Sequence, residues 1–259
     1  MEVHTHTHTE RKKFTHYLWE FLMLFLAVFC GFLAENFREH QVEHQREKQY
    51  MVTMLEDLKD DTSYLRQMKD EWDNVNRSMD TVIAALNAGN TNENLITAYR
   101  YLNNAFNFWG FTNHDRTISQ LKNSGGFRLI RKKAIANKII AYDQFNTNAA
   151  RKIGEQYNFF YETAVTLRNK IFVQGITYLL FTKYKYTQPP LSANSWIDSM
   201  VRRNPIPASK ETYTAQLFEF KNALYSYRKD FSNMAFAYKK IGELATELII
   251  LIKENYHLN

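Results

Sequence analysis

Histidines and carboxylates are the side chains here that could do chemistry. His4, His6 and His8 alternate with threonine, so an extended chain points three imidazoles to one side. Three imidazoles can hold a transition metal weakly; the competing reading of residues 1–13 is a polar tail without fixed structure. His40 and His44 stand four apart around Glu43, a helical spacing that can bring two imidazoles to one metal. The helix-borne zinc motif of metalloproteases has glutamate directly after its first histidine, where this chain has Gln41, and no third ligand is evident. His114 and Asp115 read as adjacent and partnerless. Asp60–Asp61 and Asp70–Glu71 read as solvated charge on a polar helix face. The single cysteine, Cys30, excludes an intramolecular disulfide and a cysteine-based metal site. Ser124-Gly125-Gly126 lies near Arg128, Arg131, Lys132 and Lys133, but no phosphate-loop motif is complete, so Gly125 and Gly126 read as a structural turn. The residues point to no catalytic group, no enzyme, no cofactor and no metal beyond the weak candidates His4, His6 and His8.

The chain is organised around Tyr17–Ala34, YLWEFLMLFLAVFCGFLA, in which only Glu20 is neither apolar nor small. As a helix it is about 27 Å long, enough to cross a bilayer core. Arg11, Lys12 and Lys13 precede it, as in a secretory signal. Cleavage after Ala34 would put Phe32 at the −3 position, and Phe29 precedes Cys30 where a lipoprotein signal needs a small residue. Residues 14–34 therefore read as a retained transmembrane helix. Three basic residues lie before the span and three (Arg38, Arg46, Lys48) soon after it, the latter mixed with Glu35, Glu39, Glu43 and Glu47. The compact basic group favours a cytoplasmic tail and a large domain outside.

One face of the span collects His16, Glu20, Met23, Ala27, Gly31 and Ala34; Leu22, Leu26, Phe29 and Leu33 lie opposite. Ala27 and Gly31 form a small-xxx-small pair that lets helices approach closely in lipid. An ionisable residue in a span usually faces protein or a water-filled cavity, so this face reads as an assembly surface. Glu20, near the start of the span, could instead reach the headgroups alone.

Beyond the span the sequence is helical throughout. Residues 35–50 are a polar, helix-forming membrane-proximal segment. Met51, Met54, Leu58, Leu65, Met68, Trp72, Val75, Met79, Val82 and Leu86 step by threes and fours, a heptad seam broken only at Asp61. It stops at Asn87-Ala88-Gly89-Asn90, so one helix is predicted from about residue 15 to 88, about 110 Å long. Further helices are predicted at 93–109 and 117–123, then a long one carrying Ile139, Tyr142, Phe145, Ala149 and Ile153 through Ile171. A last one runs from about Lys210 to Glu254, with its seam from Leu217 to Ile252. All four prolines fall between Pro189 and Pro207, so 176–208 is predicted to be an irregular loop. The fold class is all-α: a single N-terminal transmembrane helix continuing into a long helix, then an extracytoplasmic helical bundle over residues 51–259.

The net charge of +6 is uneven. Residues 35–90 hold seven Lys and Arg against twelve Asp and Glu, residues 1–34 are neutral, and the remainder carries +11. The basic excess could meet the acidic arm, anionic lipid or a partner. No compact basic motif interleaved with aromatics is present, so no nucleic acid is expected.

EFLMLFLAVFCGFLAENFREH (residues 20–40) and ISQLKNSGGFRLIRKKAIANKIIAY (residues 118–142) resemble an uncharacterised family of single-pass membrane proteins from Bacteroidota. Its members tend to have a His/Lys-rich start, an EF-L-AV-GF-AEN-REH anchor and a later L-SSG-LRLI-like turn. This chain carries Gly125-Gly126 and Phe127-Arg128-Leu129-Ile130 at that turn. The resemblance implies an inner-membrane protein and supplies no activity. The reading is a membrane-anchored helical scaffold or interaction protein, a homo-oligomer. The alternatives are an extracytoplasmic ligand-sensing or regulatory bundle, and an accessory subunit of a transport complex with a second membrane protein as partner.

Overall fold

A computed structural model describes residues 14–89, 91–107, 110–185, 187–204 and 210–258. Every regular element among them is helical. Helix α1 spans Phe14–Asn87, α2 Asn92–Ala105, α3 Arg116–Asn123, α4 Lys133–Ile171, α5 Gln174–Tyr184, α6 Asn194–Arg203 and α7 Lys210–Tyr256. Short 3-10 turns cover Gly126–Leu129 and Leu191–Ala193. The chain divides into two compact units, Met1–Tyr50 and Met51–Asn259. In the first, residues 14–50 are one uninterrupted helix. The second is a helical bundle.

Helix α1 stays helical for 74 residues because it holds no proline and only one glycine, Gly31. It ends where Gly89 takes a φ of +113°, backbone that glycine adopts without penalty. The chain restarts at once. Thr91 caps α2 by accepting a hydrogen bond from the Asn94 N–H on its side-chain oxygen, and the Asn94 amide donates to the Gly89 carbonyl at 2.9 Å. Gly125, with φ +66°, makes the reversal after α3.

Every seam residue of α1 from Met51 to Leu86 named above is buried, as is the α7 seam from Leu217 to Ile252. The two helices run antiparallel. Leu65 lies 3.6 Å from where a Cβ on Gly242 would stand, and the Trp72 and Tyr238 rings stack with centroids 4.7 Å apart. Arg228 pairs with Asp80 at 2.9 Å, and the Asn87 amide donates to the Tyr225 hydroxyl at 2.7 Å. Helix α4 also lies along α7, from Lys138–Glu247 at 2.8 Å to the Tyr157 and Tyr227 rings at 5.9 Å. Its own seam is only half-buried at Phe145, Ile153 and Tyr157. Between α4 and α7 an aromatic cluster of Phe106, Tyr161, Phe172, Phe220 and Tyr227 fills the core with stacked and edge-on rings.

Two expectations need correction. The segment 176–208 is not an irregular loop: α5 reaches Tyr184, and α6 occupies Asn194–Arg203. The prolines bound these helices instead of dissolving them, with Pro189 and Pro190 in the linker ahead of the 3-10 turn that leads into α6. Helix α2 also stops earlier than predicted, at Ala105; Trp109 lies outside the described residues.

The α1–α7 seam makes two opposite predictions. Leu65→Asp buries an unpaired charge and should lower the stability of the full-length protein in mild detergent by several kcal/mol. Gly154→Ala, mid-helix in α4 with nothing within 4 Å of the added Cβ, should raise it by about 0.5–1 kcal/mol. Thermal unfolding followed by circular dichroism reads both.

Candidate functional site

Two features of the chain carry functional information, one in each unit. In the first, every side chain from Phe14 to Gln41 is exposed. An eighteen-residue window of this helix has a mean hydropathy of 2.0 and none of it is buried inside the protein. The helix is long and apolar enough to cross a membrane. His16, Glu20, Met23, Ala27, Gly31 and Ala34 all lie within it, in helical register. His16 Nε2 sits 3.0 Å from Glu20 Oε1, and a Cβ at Gly31 would meet nothing within 4 Å. Phe25 stacks with Phe21 and Phe29, at 6.4 and 6.0 Å between centroids.

His40 and His44 each turn to a glutamate three residues on, Glu43 at 3.8 Å and Glu47 at 3.2 Å. Among the described residues no group of three or more metal-ligating side chains converges. His4, His6 and His8 lie outside the described residues. Gly126 opens the 3-10 turn after Gly125, and Lys132 beyond it reaches the end of α7, lying over the Tyr256 ring at 5.0 Å and donating to the Asn255 carbonyl.

The second feature is the break in the α1 seam. Asp61 takes a core position and is completely buried. Its Oδ1 accepts from the His114 backbone N–H at 2.7 Å and faces His114 Nδ1 at 2.8 Å; its Oδ2 accepts from the Tyr142 hydroxyl. One helical turn earlier, Asp57 accepts from the Thr117 N–H at 2.8 Å and pairs with Arg116 at 2.8 Å. Glu56 adds a longer contact to Arg116, at 3.3 Å. Helix α3 has no cap from its own Asp115 side chain. One free N–H at its start, that of Thr117, is met instead by Asp57 of α1 at the positive end of the helix dipole, and Asp61 holds the backbone at His114 just before the helix.

His114 and Asp61 therefore correct the sequence reading. His114 is not partnerless, and Asp61 is not solvated charge. The signal was present in the seam itself: a carboxylate in a core slot must find donors. Which donors, 53 and 81 residues away, is a property of the tertiary fold.

Burial, then the Asp61 charge and hydrogen bond, hold the Tyr142 hydroxyl far above its ordinary value of 10.0. Burial pushes Tyr99, whose oxygen accepts from the Val173 N–H at 2.8 Å, up to about 12. A buried carboxylate that orients a half-exposed histidine is a component of acid–base sites. Here the depression beside His114 is shallow and lined by Asp57, Asp60, Asn113, Asp115 and Arg116. The arrangement positions a helix. No family model matches the chain, and neither do the curated proteins or the solved structures compared with it.

Asp61→Ala leaves the buried Tyr142 hydroxyl and the part-buried His114 N–H without an acceptor, and should cost about 3–5 kcal/mol in denaturant unfolding. Asp57→Ala, which removes one helix cap and the ion pair between buried Asp57 and exposed Arg116, should cost about 1–2 kcal/mol. The buried tyrosines set an alkaline limit. Their folded values lie above the unfolded one, so the unfolded chain loses its protons first. Stability from Tyr99 is full below pH 10 and falls as pH rises towards about 12. Unfolding titrations from pH 8 to 12 should show that decline, and Tyr99→Phe should make it shallower.

Proposed function

We propose that the chain is a membrane-anchored helical scaffold that self-associates through its span and presents its bundle outside the cytoplasm, in a bacterial inner membrane. The observation that carries this reading is the exposed apolar helix. A water-soluble protein does not leave a run such as Phe21–Phe29 uncovered, and lipid covers it without any further partner. The basic tail of Arg11, Lys12 and Lys13 holds the N-terminus inside. The same face that carries Glu20 carries Ala27 and Gly31, so close helix approach and shelter for an ionisable pair coincide.

Orientation is tested with single cysteines at Ser63 and Ser192, both exposed, in a Cys30→Ala background. Both should react with a membrane-impermeant maleimide in intact spheroplasts. Reaction only after lysis places the bundle in the cytoplasm and overturns the topology. Self-association is tested separately: Gly31→Leu should shift the full-length protein in mild detergent towards the monomer on native gels or in sedimentation, while the protein remains in the membrane fraction. An unchanged oligomer would move assembly away from this face.

A further inference from the structure

The basic charge of the chain lies mainly in two segments, residues 116–142, with seven Lys and Arg and no acid, and residues 163–210. Residues 163–210 hold seven Lys and Arg against one acid, Asp198, a balance equal to the +6 of the whole protein. Asp198 is itself paired with Arg202 at 2.8 Å. The segment contains α5 and α6, which pack on each other and on α2.

Helix α5 is apolar on two sides. Ile176, Thr177 and Leu180 face the bundle and are buried. The opposite side presents Tyr178, Leu179 and Phe181, which are 68%, 40% and 39% exposed. A helix side that faces only water is polar, and this one is not. Exposed Lys183 and Lys185 follow at its C-terminal end. The Lys183 ammonium lies over the Tyr184 and Trp196 rings, at 5.4 and 5.6 Å, so its stem runs along aromatic surface. Leu191, in the turn before α6, is 71% exposed, and Arg202 and Arg203 end α6. Aromatic and aliphatic side chains beside lysines, without free acid, are the composition of a helix that lies in a bilayer interface.

We propose that the α5–α6 surface docks on an anionic lipid surface, with Tyr178, Leu179 and Phe181 entering the headgroup region and Lys183 and Lys185 pairing with lipid phosphates. This contact belongs to the bundle and does not depend on the span. The charge selects the occupant: a neutral bilayer or a second copy of this basic segment offers it no complement.

The test uses full-length protein held in nanodiscs of phosphatidylcholine. It is mixed with vesicles of phosphatidylcholine alone or of phosphatidylcholine with phosphatidylglycerol, and recruitment is scored by flotation. Retention in the nanodisc reports on the span; recruitment to vesicles reports on α5. The expected result is recruitment by the phosphatidylglycerol vesicles only, weakening as salt rises. Lys183→Gln should lower it about fivefold. Tyr178→Ser with Phe181→Ser should abolish it, and Tyr178→Ser alone, at a side chain 68% exposed, should weaken it while helix content and melting stay those of the parent. Recruitment indifferent to phosphatidylglycerol, its absence, or its survival in the double variant overturns the proposal. So does equal binding to soluble polyglutamate that the double variant leaves unchanged, which would show a charge contact to an acidic polypeptide without insertion.

Discussion

A carboxylate completely excluded from water must be surrounded by donors, and Asp61 imposes that condition on the bundle. Its donors come from two other parts of the chain: the segment before α3 and the first turns of α4. Meeting the condition fixes where the backbone passes at His114 and which way the Tyr142 ring points. Asp57 extends the same logic by one helical turn, holding the start of α3 through the Thr117 N–H. An apolar residue at position 61 would fit the seam and specify none of this. The polar break turns a generic heptad stripe into a surface with one docking arrangement.

Much of the fold was legible because period and punctuation agree. The three-and-four stepping of Met51–Leu86 and Leu217–Ile252 marks the buried faces of α1 and α7, and the absence of proline explains why α1 runs without a break. The glycines that matter, Gly89 and Gly125, stand at helix ends and take positive φ. What failed to read was 176–208. Proline clustering there looked like a loop, whereas α5 ends before Pro189 and α6 begins after Pro190, so the prolines act as boundaries. Helix α5 gave no amphipathic pattern because both of its sides are apolar.

The candidate site was legible only in part. The long apolar helix announced itself through composition. The Asp61–His114–Tyr142 cluster did not, because its partners are brought together by packing between helices far apart in sequence. Asn104 makes the same point on a smaller scale, donating to Ser78 at 2.6 Å to tie α2 to α1. Arg100, buried on α2, donates to the Pro189 carbonyl at 3.0 Å and so anchors the linker between α5 and α6. Each polar group has a buried, specific role that no local pattern encodes.

Helix α7 is made after the six helices α1–α6, yet it closes the seams of both α1 and α4. The Asn87–Tyr225 and Asp80–Arg228 bonds join residues 138 and 148 apart. While the chain is being synthesised, the apolar stripe of α1 is therefore complete long before its mate emerges. Non-local pairing of this kind slows folding and leaves hydrophobic surface open in the interval. The stripe of α1 thus stays open until the 47 residues of α7 have been added.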